Sequence, residues 1–180
     1  GKVLLDKTGT LTEGRLSLVR WDGDLSAQPL FAALEAHSTH PVARAAQRAF
    51  GTVSGCGPID VRETQGGGVD GSVGRRHVVA GTEPFVLSRS AAFDSEMRAA
   101  AARAAADGFS PVLIAVDGVV VAVASFGDPI RPDAEKALDR LRRRGHEPSI
   151  LSGDHPSVVT TVARRLGMPS ATARGGVSPE

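Results

Sequence analysis

The chain has 180 residues, and 21 Lys plus Arg against 20 Asp plus Glu leave a formal net charge of +1, so its overall charge gives no reason to expect nucleic acid or an anionic membrane surface as a partner. With 41% hydrophobic and 23% charged residues it reads as a folded protein, and its one cysteine, Cys56, excludes an internal disulfide framework or a multi-cysteine metal site. No stretch reaches the roughly 18 apolar residues of a membrane span, and the polar segment 6–13 interrupts any N-terminal leader.

In chain order, Val3-Leu4-Leu5 predicts a buried strand ending at Asp6, and segment 7–14 is too rich in Thr and Gly for a regular element. Leu16 and Val19 lead to a break at Asp22-Gly23-Asp24. Pro29 suits a first helical turn, and Leu30, Phe31 and Leu34 share a face, which predicts a helix over 28–38. Pro41 cannot continue it, so a second helix over 41–50 follows, closed by Gly51. Residues 51–87, with valines between Gly clusters, predict short strands and hairpins. A helix over 91–106 ends before Gly108, and the runs 112–116 and 119–124 flank Asp117-Gly118, a strong hairpin signal.

Beyond Gly127 the pattern becomes helix over 133–144, strand over 149–151 and helix over 157–166. With the strand at 3–5 this is the grammar of a parallel α/β layer. The expected fold is therefore α/β, with residues 15–125 as an α+β domain on an antiparallel sheet, inserted into a host of residues 1–14 and 126–180.

A carboxylate at the C-terminal end of a buried strand lies where open α/β sheets bind ligands. The loop after it offers hydroxyls and backbone amides suited to phosphate oxygens, and Asp can itself form an aspartyl-phosphate. The whole run Asp6-Lys7-Thr8-Gly9-Thr10-Leu11-Thr12 resembles the phosphorylation signature of the P-type ATPases, members of the haloacid-dehalogenase-like superfamily. Soluble phosphatases of that superfamily usually carry a second Asp two positions on, as general acid and base, where this chain has Thr8. Such proton transfer contributes about 10²–10⁴-fold in rate, so a persistent phosphoenzyme and a pump are expected over a phosphatase.

Ser152-Gly153-Asp154 supplies a hydroxyl and amides before a helix, an anion site by chemistry, and resembles the Thr-Gly-Asp of that family. Asp128-Pro129-Ile130-Arg131-Pro132 resembles its Asp-x-x-Arg-Pro segment, which makes Asp128 and Arg131 candidate hinge residues. Ser38-Thr39-His40-Pro41, with Glu35 five positions before the imidazole, resembles the nucleotide pocket of the heavy-metal subgroup. Gly66-Gly67-Gly68-Val69-Asp70-Gly71 fits a dinucleotide fingerprint literally, but no helical face follows it. Gly66 and Gly68 instead resemble that subgroup's Gly-x-Gly turn, with Gly81 in a second turn where Thr82 replaces the usual Asn. Arg142-Arg143-Arg144 reads as a solvated helix end, and His37, His77, His146 and His155 have no spacing that marks a site.

The resemblance implies that Asp6 is phosphorylated by ATP and that Thr8, Thr10, Ser152 and Gly153 hold the phosphoryl group. It further implies that Glu35, His40, Gly66, Gly68 and Gly81 hold the nucleotide, and that Asp6 and the Thr8 carbonyl bind Mg²⁺ with a third carboxylate that the chain lacks. The family's Lys after a Pro and its Gly-Asp-Gly-x-Asn-Asp loop are also absent. A C-terminally truncated phosphorylation domain is thus expected, which binds ATP but turns it over poorly or not at all. The implied setting is the cytoplasmic part of a bacterial plasma-membrane protein, whose actuator and transmembrane domains and metal cation are its partners. Rival expectations are a soluble phosphatase of the superfamily with a cap insertion, and a non-catalytic nucleotide-binding module.

Overall fold

The computed structural model describes residues 1–51, 58–89, 92–153 and 156–177. Its first strand, β1 (Lys2–Asp6), leads into one wide turn over Lys7–Leu11, closed by the Thr12 amide donating to the Lys7 carbonyl at 3.0 Å. Gly9, at φ 79°, takes the left-handed conformation that this turn needs.

The chain then builds β2 (Ser17–Gly23), α1 (Ala27–Leu34), α2 (Pro41–Phe50), β3 (Pro58–Thr64), β4 (Gly68–Val73) and β5 (Arg76–Gly81). After these come α3 (Glu83–Leu87), α4 (Ser95–Ala106), β6 (Ser110–Val116) and β7 (Val119–Gly127). The strands form an antiparallel sheet in the order β2-β7-β6-β5-β4-β3. Residues Leu16–Gly127 are one compact unit, here the inserted unit.

Helices cover both faces of this sheet. Phe31, Leu34, Val78, Ile114, Ala124 and Phe126 form one core with α1 and α2. Val79, Leu113, Val120 and Val123 pack on the other side with Phe85, Val86, Met97 and Ala100 of α3 and α4. Burial on both faces explains why 112–116 and 119–124 read as continuous apolar runs rather than alternating ones. The Asp117-Gly118 turn joins β6 to β7 with φ of 49° and 83°, the doubly left-handed geometry that matches strand twist.

Four expectations need correction, the first being the buried strand over 3–5: β1 is not buried, and its Leu4 is 66% exposed. The helix predicted over 28–38 stops at Leu34 and tightens into a short turn over Glu35–His37. The helix predicted over 91–106 starts at Ser95, because the Asp94 side chain caps it by accepting from the Met97 amide at 2.8 Å. The stretch 51–87 ends in α3 rather than a strand, with Pro84 in its first turn. Beyond these, residues 17–23, for which no element was expected, form an edge strand whose irregular register on β7 between Leu18 and Arg20 hides its alternation.

The second compact unit, here the host unit, comprises Gly1–Arg15 and Asp128–Glu180. It adds α5 (Ala134–Arg143), β8 (Glu147–Leu151), α6 (Pro156–Arg165) and β9 (Ala173–Arg174). β1, β8 and β9 form a parallel sheet in that order, with Asp6 opposite Leu151. Leu11, Leu138, Ile150, Val159, Ala163 and Leu166 make its core. Among the described residues no helix is long and apolar enough to cross a membrane.

Candidate functional site

In the host unit the register of β1 on β8 sets Asp6 and Ser152 side by side at one end of the parallel sheet. Asp6 is exposed, whereas Ser152 is buried. A cavity of about 340 Å³ opens there, and its walls include Leu5, Asp6, Ser152 and Gly153. The backbone holds this corner firmly: the Ser152 amide donates to the Arg174 carbonyl at 3.0 Å, and the Val177 amide donates to the Ser152 carbonyl at 3.1 Å. Thr8 and Thr10 stand exposed on the turn and are not among the described residues lining the cavity. Asp154 and His155 lie outside the described residues.

The turn is tied down by a residue that sequence reading assigned only to a hinge. Asp128 accepts from the Thr12 hydroxyl at 2.6 Å and from the Gly14 amide at 2.9 Å, and the buried Lys7 ammonium lies 4.0 Å from it. Beside it the Arg131 amide donates to the Leu11 carbonyl, and the Glu13 amide to the Pro129 carbonyl, both at 2.9 Å. Segments 11–14 and 128–131 are thus laced together where the chain leaves and re-enters the host unit. Thr12 inside the signature, five residues after Lys7, was the available clue to such a partner.

In the inserted unit, Leu34 at the end of α1 packs near Gly71 of β4, which brings the next residue, Glu35, up to the sheet. Glu35 is buried, and burial first and the Glu63 charge second push its carboxyl up to about 7. The Ser38 hydroxyl bridges this corner, donating to Glu63 at 3.4 Å and accepting from the His40 amide at 3.1 Å. His40 is exposed and caps α2, its Nδ1 accepting from the Val42 amide at 3.3 Å, so that Nε2 is the nitrogen left to face a ligand. Glu63 was missed because a lone Glu in a strand carries no sequence signal. Only its place on β3 reveals it.

Gly66 turns the chain from β3 to β4 at φ 72°, and Gly68 faces Gly81 across β4 and β5. A Cβ on Gly68 would run into the Ala80 carbonyl oxygen and lie 2.6 Å from Gly81 Cα. The Phe85 ring, 2.8 Å from the same point, closes the other side. Tight packing of two strands and one ring therefore accounts for Gly68 and Gly81. Among the described residues no cluster of three or more His, Cys, Asp or Glu side chains could hold a metal ion. Asp6 and the Thr8 carbonyl are hard oxygen donors of the type Mg²⁺ takes, and a phosphate ligand and water would complete such a set.

The family model for haloacid dehalogenase-like hydrolases matches residues 3–180. Nitrogen fixation protein FixI of Rhizobium leguminosarum bv. viciae is 37% identical over 99% of this chain and 22% of its own length. The copper-exporting P-type ATPase of Mycobacterium tuberculosis is 35% identical over 95% of this chain and 23% of its own length. The crystal structure of a zinc-transporting PIB-type ATPase in its E2.Pi state superposes with a TM-score of 0.81 at 25% identity, covering 98% of this chain and 29% of that one. The chain thus spans less than a quarter of the curated relatives it is set beside here. In sequence and fold it resembles the ATP-binding and phosphorylation region of heavy-metal P-type ATPases. A strand-end aspartate beside a parallel neighbour's serine, and a family match that begins at Val3 and runs to the last residue, lead to one statement: this chain belongs to the haloacid dehalogenase-like hydrolase family.

Proposed function

We propose that this chain is the ATP-binding and phosphorylation region of a heavy-metal-transporting P-type ATPase. The observation that carries the reading is the shared cavity of Asp6 and Ser152 at the end of β1 and β8. An Asp6 carboxylate oxygen attacks the γ-phosphorus of ATP in line, the bond to the β-phosphate oxygen breaks, and ADP leaves. The Ser152 hydroxyl and the Gly153 amide hold the transferred oxygens, with Thr8 and Thr10 presented from the turn. Mg²⁺, when bound through Asp6 and the Thr8 carbonyl, would neutralise charge on the phosphates. Thr8 in place of a general acid leaves the aspartyl-phosphate without an internal proton shuttle, so it lasts long enough to be coupled to movement elsewhere.

The inserted unit is the nucleotide-binding domain in this reading, and the host unit belongs to the phosphorylation domain. Glu35 and His40, at a corner of the inserted sheet, receive the base, with Gly66, Gly68 and Gly81 shaping the nearby turns. Asp128 and Arg131, laced to the outgoing segment 11–14, form the hinge. The full protein would sit in a membrane with this region on the cytoplasmic side, its own actuator and transmembrane domains and a metal cation as partners.

Radiolabelled ATP added to the full-length protein tests this. An acid-stable, hydroxylamine-sensitive label should appear on Asp6, and Asp6→Asn should remove it by more than about 10³-fold. The same variant should still bind ATP by calorimetry. Label on another residue, or rapid phosphate release with no label, sinks the proposal. The 180-residue chain alone should bind ATP and show little or no turnover.

A further inference from the structure

A net charge of +1 conceals how the charges are distributed. In the host unit, the Gly1 nitrogen, just before β1, donates to the Gly145 carbonyl just after α5 at 3.1 Å, and the Glu147 amide returns a bond to the Gly1 carbonyl at 2.9 Å. From α5, Arg142 donates to the carbonyl of Gly167, just past α6, at 3.2 Å. The C-terminal ends of α5 and α6 therefore meet at the start of β1. Asp6 lies at the far end of that strand, roughly 13 Å away at about 3.3 Å per residue.

Lys2, Arg140, Arg143, Arg144, Arg164 and Arg165 are all exposed at this end. Among the described residues there, the acids are Glu147, opposite Lys2 in the strand register, and Asp139, paired with Arg142 at 3.0 Å. A helix C-terminus favours a cation, and one arginine on each helix would satisfy that. Two adjacent helix ends on which Arg140, Arg143, Arg144 and Arg164 are exposed exceed it even without Arg165.

We propose that this end of the host unit, opposite Asp6, is a docking face for an anionic lipid surface. The choice of lipid rests on the transporter reading above, which sets the region beside a membrane. It also rests on composition: segments 1–15 and 128–180 contain no Phe, Trp or Tyr, so the face has no platform on which bases could stack. Basic side chains near an anionic leaflet each strengthen binding about fivefold, and salt weakens the attraction.

Co-sedimentation of the 180-residue chain, without nucleotide, tests this. Vesicles of phosphatidylcholine mixed with phosphatidylglycerol should carry the chain down at low salt, and phosphatidylcholine alone should not. At about 0.5 M salt the binding should be lost. The triple variant Arg143→Gln, Arg144→Gln, Arg164→Gln should bind on the order of a hundredfold more weakly. Circular dichroism melts should show that it is folded, and Lys2→Gln, in β1 rather than in a helix, should give a smaller loss in the same direction. Equal binding to both vesicle types, no binding to either, or undiminished binding by the triple variant overturns the proposal. Tighter binding to a short DNA duplex than to the anionic vesicles overturns it as well. Vesicle binding is read apart from the label on Asp6, so either proposal can fail while the other stands.

Discussion

The inserted unit and the host unit bury their sheets differently. Among the described residues, the inserted unit's six antiparallel strands are covered on both faces by helices, and Phe31, Phe126, Leu113 and Val123 are completely enclosed. Among the described residues the host has three parallel strands, and β1, which carries Asp6, lies at one side of that sheet with Leu4 66% exposed. The candidate nucleotide residues thus belong to a body with two cores, while the candidate nucleophile ends a strand of a unit with one. Perturbing one unit should leave the other's fold intact.

Core truncation gives the largest effect and tests that independence directly. The only tryptophan, Trp21, packs edge-on to Phe50 at 5.5 Å within the inserted unit and reports its unfolding. Phe126→Ala should destabilise that unit by about 3–5 kcal/mol and shift the Trp21 fluorescence transition in urea. Leu138→Ala, fully buried in the host, should cost about 2–5 kcal/mol yet leave that transition where it was. A Trp21 shift of equal size in both variants would show that the units unfold as one.

Next in size is a pH effect confined to the inserted unit. Glu35 is raised from 4.5 to about 7 by burial and by Glu63, so the folded state holds its proton more tightly than the unfolded one. Its contribution is complete below the unfolded value and is lost as pH rises through the folded one. Glu35→Gln cannot ionise and should stabilise the unit by up to about 3 kcal/mol at about pH 8, with almost no effect at about pH 4. Glu63→Gln should give a smaller gain, because burial is the larger cause. Melts followed at Trp21 across that range decide it, and a Glu35→Gln benefit that does not grow with pH would break the account.

Much of this was legible in the sequence, and the limits have physical causes. The strand ending at Asp6, though not the burial expected of it, the Asp117-Gly118 hairpin and the break at Pro41 are written in local chemistry that tertiary packing did not override. β2 was not legible, since its register irregularity between Leu18 and Arg20 destroys the alternation that marks a strand. Asp128 looked like part of a stiff connector because its partners, Thr12 and Gly14, lie more than a hundred residues upstream. Phe85 and Glu63 matter through what the folded sheet and the helices on it bring beside them, and no spacing rule reaches that far.

On the host side, Asp128→Ala removes the acceptor of the Thr12 hydroxyl and of the Gly14 amide, and should cost about 1–3 kcal/mol. Hydrogen exchange should quicken at Gly14 and at the turn closed by Thr12, while protection in β6 and β7 stays unchanged. Loss of protection in those strands would mean that this lacing supports the inserted unit too.

The smallest effect separates two roles held by one side chain. His40 caps α2 through Nδ1, so His40→Ala should cost about 1 kcal/mol of stability in the inserted unit. Asn is a good capping residue, and His40→Asn should recover most of that loss while offering no imidazole. If the ring also meets the nucleotide, ATP affinity measured by calorimetry falls in both variants, although only one of them is destabilised. If His40→Asn restores affinity along with stability, the histidine acts on the nucleotide only by holding the start of α2 in place.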